Sequence, residues 1–322
     1  MAYGTGPTVP WAVALRRRDR DSARSLNHAS GRSPPLGPES FLADGCYVTD
    51  RDANSKAVRD TLERPDVHEK WERDFRTAES VRFYDAAFAY IASQLDAAER
   101  PHLLDAGCGI CDYSLRMAGH GFRVTAVDFS PTVVEEARKN LEGREFADRI
   151  TLGREDLLGL TFDDDRFDAI LCWGVLMHVP DIEQATAELA RVLKPGGRIA
   201  LSEVNMRSLE ASGMRLLKRL LGRTGPGTVR TAAGVERWES SDAGELLSRE
   251  CDLEWLAGRM RELGLVLRAR RAGQFSESFV RVSSRAAKRM IHKWNQLWFD
   301  RVGLAGPALG NILIFEKPHP GT

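Results

Sequence analysis

The stretch Leu103-Leu104-Asp105-Ala106-Gly107-Cys108-Gly109-Ile110-Cys111, with Val124-Thr125-Ala126-Val127-Asp128 beyond it, decides the fold. The first segment reads as a short apolar strand that runs into a glycine-rich turn and opens a helix. The second reads as the next strand, ending in a carboxylate about one βα unit later. Glycines at such a turn let the backbone approach a ligand. The acid is placed to accept hydrogen bonds from ribose hydroxyls, so the pair points to an adenosine-bearing cofactor.

Two cofactor classes use this construction, and spacing separates them. A dinucleotide loop needs Gly-x-Gly-x-x-Gly and a helix amino terminus clear for a pyrophosphate. Counted from Gly107, the third glycine would fall at Asp112. A carboxylate there repels the diphosphate that the helix end would otherwise attract. Asp105, at the start of the loop, suits a ligand with cationic groups. S-adenosylmethionine carries a sulfonium and an ammonium and no phosphate, and it is the cofactor expected.

Four further motifs follow in order. Glu155-Asp156-Leu157 comes after the apolar run Ile150-Thr151-Leu152, and Phe167-Asp168-Ala169-Ile170-Leu171-Cys172-Trp173 reads as a fourth strand. Leu193-Lys194-Pro195-Gly196-Gly197 reads as the turn before a fifth, and Val127-Asp128 closes the second. With the loop, these make residues 101–205 resemble the core of the class I S-adenosylmethionine-dependent methyltransferases. The loop matches the family's Asp-x-Gly-x-Gly-x-Gly except at its last glycine, which is Cys111 here. The resemblance implies cofactor contacts at Asp105, Gly107, Cys108, Gly109, Asp128, Phe129, Asp156, Leu157 and Trp173, with Asp156 on the adenine amino group.

Alternation of short strands and helical stretches implies an α/β fold: a Rossmann-like, seven-stranded, doubly wound sheet. Strands are expected at 103–105, 124–127, 150–153, 168–173 and 198–204, with the last two near 265–271 and 311–315. Val81, Tyr84, Phe88, Ile91 and Leu95 recur at helical spacing before the first strand. The boundaries expected are a disordered tail over 1–45, an N-terminal helical cap over 46–100, and the cofactor-binding core over 101–205. A cap or lid insertion follows over 206–250, then the last part of the sheet over 251–318 with a helical insertion at 275–310. The cap is expected to be mainly helical, with Trp71, Phe75 and Tyr84 in its core and Tyr84 or Arg76 as candidates for the cofactor's carboxylate. Residues 206–223 read as a basic amphipathic helix with a solvated face, and 224–250 as a mobile lid around Gly-Pro-Gly. The insertions after strands five and six should meet above the carboxyl ends of the sheet, where open α/β sheets bind ligands.

Lys plus Arg and Asp plus Glu both total 46, so no net field draws the chain to nucleic acid or to anionic membranes. No apolar run approaches the ~20 residues of a membrane span. Trp11–Leu15 is too short for a signal peptide, and its arginines lie on the wrong side. Five cysteines, an odd count, suit free thiols and a cytoplasmic location. Cys108 and Cys111 form a C-x-x-C inside the loop, but no second pair or spaced histidines complete a metal site. The partner expected is a small-molecule substrate, without nucleic acid, membrane or metal; no motif sets an oligomeric state.

Methyl transfer is an in-line displacement for which the enzyme mainly aligns nucleophile, methyl and sulfur. A hydroxyl nucleophile benefits from a base. His178, after the fourth strand, is the leading candidate, and a structural role for it competes. Glu203, at the end of the fifth strand, is second, and His292 on the inserted helix is third. The segment Cys172-Trp173-Gly174-Val175 lacks the motif of nucleobase amine methylation and the acidic ligands of the magnesium-dependent catechol type. The expectation is O-methylation of a natural product or sugar. The rivals are a cyclase or decarboxylase that keeps the cofactor, a non-catalytic interaction module, and a macromolecular methyltransferase using the 206–223 helix.

Overall fold

Strands that alternate their side chains between two buried faces build the central layer, seen most clearly where Ala169, Ile170, Leu171 and Cys172 are all fully buried. A computed structural model of the chain describes residues 58, 60–64, 77–222, 228–241 and 244–321. The tail expected over 1–45, together with Trp71, Phe75 and Arg76, lies outside the described residues. In chain order the strands are β1 (His102–Ala106), β2 (Arg123–Asp128), β3 (Ile150–Arg154), β4 (Phe167–Trp173) and β5 (Leu193–Val204). Then come β6 (Thr228–Thr231), β7 (Gly234–Ser241), β8 (Gly244–Cys251), β9 (Val266–Ala272) and β10 (Gly310–Glu316). The helices are α1 (Ala78–Leu95), α2 (Asp112–Gly119), α3 (Pro131–Leu141), α4 (Ile182–Val192), α5 (Leu209–Leu220), α6 (Leu253–Glu262) and α7 (Arg285–Leu297).

Seven strands form one sheet in the order β3-β2-β1-β4-β5-β10-β9. The first five pair in parallel, and β10 runs antiparallel to both β5 and β9. The expected seven-stranded Rossmann-like sheet is therefore present. Helices cover both faces. Phe88 and Ile91 of α1, Met117 of α2 and Ala137 of α3 share one core with Leu103 and Leu171. Leu189 of α4 and Leu256 and Met260 of α6 share the other with Leu104, Ile170 and Phe315. Chain order reverses between β2-β1 and β4-β5, so the carboxyl ends of β1 and β4 diverge and leave a crevice.

Local chemistry sets the helix starts that frame this crevice. Ser130 accepts a hydrogen bond from the Val133 amide and Pro131 follows at the first helical position, which starts α3 directly after Asp128. Asp181 accepts from the Gln184 amide and starts α4 after the β4 loop. Each such cap is worth about 1 kcal/mol.

The segment after β5 departs from the expected mainly helical cap and mobile lid. Beyond α5 the chain forms an antiparallel sheet, β6-β7-β8. Leu247, Arg249 and Cys251 alternate inward along β8, each nearly or fully buried. The inward middle residue is an arginine, which breaks the apolar alternation that would betray a strand in sequence. Arg249 lies opposite Glu236 in the ladder and donates two hydrogen bonds to its carboxylate, at 2.8 and 3.0 Å. It also donates to the carbonyls of Leu176 (2.8 Å), Val179 (2.9 Å) and Pro180 (3.3 Å), fastening this sheet to the segment after β4.

Candidate active site

The glycine loop folds back onto the end of β2. The amides of Gly107 and Cys108 both donate to the Val127 carbonyl, at 2.8 and 2.9 Å. Gly107 has φ +80, and a Cβ there would lie 2.5 Å from Val175 Cγ2, so only glycine fits. The amide of Gly109 donates to Asp128 Oδ2 and that of Ser130 to Oδ1, each at 3.1 Å. These bonds fix the Asp128 carboxylate beside the loop with acceptor capacity remaining on both oxygens. Cys111, at the family's third glycine, is fully buried and adopts a left-handed φ of 67. A side chain in that region costs about 1–2 kcal/mol, which the surrounding packing has to offset.

A cavity of about 430 Å³ opens over the loop at the carboxyl ends of β1, β2, β4 and β5. Every residue that the resemblance assigns to the cofactor lines it, except Asp105. Alternation along β1 turns Asp105 to the same face as Leu103, toward α2. There it is 2 % exposed and accepts a 2.6 Å hydrogen bond from the Ser114 hydroxyl. Burial, with Asp128 adding repulsion, pushes its pKa up to about 7 despite the Ser114 bond. Direct contact between Asp105 and a cationic ligand is therefore not what the geometry provides; it braces the loop from beneath.

The wall has four carboxyl groups, Asp128, Asp156, Glu203 and Glu277, and no lysine or arginine among the described residues. Without a cation to hold a diphosphate, and with Asp128 and Asp156 on the loop side, the residues present fit S-adenosylmethionine and not a dinucleotide. Trp173 closes the loop side within a ring cluster that includes Tyr84, Phe88 and Tyr113. Phe88 stacks on Tyr113 at 4.7 Å between centroids and lies 4.9 Å from Trp173.

The three candidate bases have separate fates. Glu203 lines the cavity, is 2 % exposed, and neither of its carboxyl oxygens has a hydrogen-bond partner within the protein. Burial pushes its pKa up to about 8, although Arg249 and the Leu176 amide, which lies outside hydrogen-bond geometry, favour the anion. His178 lines the same cavity, and its Nδ1 lies 2.7 Å from the Leu247 carbonyl. A carbonyl only accepts, so Nδ1 carries a proton. His292 does not line the cavity. It is buried under α7 against the ring of Phe279, 4.4 Å between centroids, which withdraws it as a base.

Two side chains that sequence reasoning passed over complete the far wall. Gln274 is 7 % exposed with its Nε2 unpartnered, and Glu277 stands beside it. The Glu277 residue is partly exposed while its carboxyl is enclosed, and burial followed by repulsion from Glu210 pushes it up to about 7. Both follow the carboxyl end of β9, where the insertion after the sixth strand of the sheet was expected to border the pocket, but no motif marks them. Among the described residues, no group of three or more His, Cys, Asp or Glu side chains is placed to hold a metal ion.

Residues 104–201 match a family described as a methyltransferase domain. The ubiquinone biosynthesis O-methyltransferase of Coxiella burnetii is 36 % identical over 116 residues, which cover 36 % of this chain and 48 % of that protein. The sterol 4-C-methyltransferase strm-1 of Caenorhabditis elegans is 30 % identical over 115 residues, covering 36 % of this chain and 34 % of that protein. The chain thus spans about half, or less, of the length of these curated relatives. Among solved structures, the CcbJ methyltransferase of Streptomyces caelestis aligns over 81 % of this chain and 98 % of its own, with a TM-score of 0.52 and 14 % identity. That likeness is one of fold. The family match ends before Glu203, Gln274 and Glu277, so the cofactor side of the cavity lies inside it and the far wall outside.

Proposed function

We propose that the protein, whose residues 104–201 match a methyltransferase domain, uses S-adenosylmethionine to methylate a hydroxyl group of a small molecule, a natural product or a sugar. The observation that carries the reading is Glu203, a buried carboxyl without a protein hydrogen-bond partner, on the same cavity wall as the glycine loop. S-adenosylmethionine, when bound, supplies a methyl group activated by its sulfonium. Asp128 accepts hydrogen bonds from the ribose hydroxyls, and Asp156 from the adenine amino group. Glu203 takes the acceptor's hydroxyl proton onto a carboxylate oxygen as the oxygen–methyl bond forms and the methyl–sulfur bond breaks, its electron pair leaving with the neutral thioether. Its pKa, near neutrality, suits it to this exchange better than an ordinary glutamate. Gln274 Nε2 donates to a second oxygen of the acceptor. His178, held at Nδ1 by the Leu247 carbonyl, orients the acceptor from the opposite side. Tyr84, Trp173 and Leu62 keep water from the reacting centre.

The test supplies methyl-labelled S-adenosylmethionine and a panel of phenols, sugars and hydroxylated polyketides to the wild type and to Glu203→Gln. Acceptor-dependent label on oxygen, lost in the variant at unchanged cofactor affinity, is expected. Label confined to carbon or nitrogen products would overturn the hydroxyl reading. Consumption of an acceptor with no methyl lost from the cofactor would replace transfer by another reaction.

A further inference from the structure

Helices α5 and α7 are built inside out. An amphipathic helix on a globular surface turns its apolar stripe to the core. On α5 the residues turned inward are Ala211 and Arg215, the latter bound to Glu250 and to the Met206 carbonyl. Leu209, Leu216 and Leu220 fall along one line of the opposite side and are 64, 58 and 75 % exposed, with Leu217 and Leu221 exposed beside them. On α7 the buried residues are His292 and Asn295, while Met290, Trp294 and Leu297 face solvent. Apolar faces of this extent, in a protein whose two sheet cores are complete, mark a surface that meets something else.

Charge identifies what it meets. The chain as a whole has equal numbers of acidic and basic residues, yet α7 contains no acidic residue, and Arg285, Lys288, Arg289 and Lys293 lie along it. On α5, Lys218 and Arg219 border the leucine stripe, and the one acid, Glu210, is turned to Arg281 at 3.3 Å. None of these six cations is ion-paired among the described residues. Leucine and tryptophan with flanking lysine and arginine is the composition of a helix that lies in a lipid headgroup layer. A second copy of the chain is a poor occupant, because a two-fold interface would set these cations against their own counterparts. The Glu210–Arg281 pair also brings the first turn of α5 close to the start of α7, and Glu277, four residues before Arg281, lines the cavity.

We propose that α5 and α7 form a peripheral docking face for an anionic phospholipid bilayer, next to the wall of the active-site cavity. The exposed leucines, Met290 and Trp294 enter the headgroup layer, and the cations on the exposed sides, Lys218, Arg219, Arg285, Arg289 and Lys293, meet lipid phosphates; Lys288 shares the inward row of His292 and Asn295. No described helix is long and apolar enough to cross a membrane, so the contact is with the surface only.

The test is sedimentation of the full-length chain with vesicles of phosphatidylcholine alone and of phosphatidylcholine mixed with phosphatidylglycerol. Binding to the mixed vesicles only, weakened by added salt, is expected. The charge reversals Lys218→Glu with Arg219→Glu, and separately Arg289→Glu with Lys293→Glu, should each weaken it about tenfold or more. Leu216→Ser with Leu220→Ser should weaken it at unchanged melting temperature, which separates docking from folding. Absence of binding to mixed vesicles overturns the proposal, as does equal binding by the charge-reversed variants. Concentration-dependent dimers that the leucine substitutions dissolve, without vesicle binding, would assign the face to a second copy instead.

Discussion

Replacing Glu203 by glutamine tests stability and mechanism at once. Glu203 is buried, and its pKa is pushed from the ordinary 4.5 to about 8. The folded state therefore holds this proton more tightly than the unfolded chain does. Between those two values it binds more protons than the unfolded state, so stability falls as pH rises through the window. At about 1.4 kcal/mol per pH unit, ionising Glu203 costs at most ~4–5 kcal/mol. Water entering the cavity that Glu203 lines screens part of this, leaving an expectation of about 2–3 kcal/mol. Glutamine keeps the shape and cannot ionise. Urea unfolding of both proteins should therefore give nearly equal stabilities at pH 5, with the variant ahead by about 2–3 kcal/mol at pH 9. Asp105 and Glu277 titrate in both proteins and cancel in the difference. In turnover, the rate of the wild type should rise with pH through about 8 as Glu203 loses its proton. The variant should lose about 10²–10⁴-fold in kcat at unchanged cofactor affinity. The same stability difference at pH 5 and pH 9 would refute the burial argument, and full activity in the variant would refute the base.

Asp128→Ala should weaken S-adenosylmethionine binding by roughly 1.5–3 kcal/mol, the loss of hydrogen bonds to a charged group, and calorimetry showing unchanged affinity would contradict the ribose role. Gly107→Ala forces a side chain into a left-handed conformation and against Val175, so unfolding experiments should show a loss of about 1–3 kcal/mol together with weaker cofactor binding. Arg249→Met strands the Glu236 carboxylate and removes the donor shared by three carbonyls. It should cost about 3–5 kcal/mol by denaturation, and a loss below about 1 kcal/mol would mean the inserted sheet is not fastened there. His178→Ala should lower kcat without changing cofactor affinity, and wild-type turnover would assign the ring a structural role through its bond to the Leu247 carbonyl.

The cofactor half was legible because it is written in neighbouring residues. Gly107 needs a left-handed backbone against Val175, Asp128 ends a strand beside it, and both requirements fall within one βα unit. Even there, Asp105 was misjudged: identity placed it on the loop, while strand alternation turned it under α2. The α7 segment showed its apolar residues in sequence, but periodicity does not say which side of a helix is inward, so His292 could be read as a base while it packs on Phe279.

What the sequence alone determined is the strand–loop–helix chemistry of residues 103–128 and the βα alternation that obliges a parallel sheet. Both arise from interactions between residues close along the chain. The tertiary structure decided the rest: that Glu203, Gln274 and Glu277 converge from β5 and the loop after β9, that a buried arginine organises a second sheet, and that two helices face outward. These depend on which distant segments exclude water from one another, and contacts across such separations leave no local pattern to read.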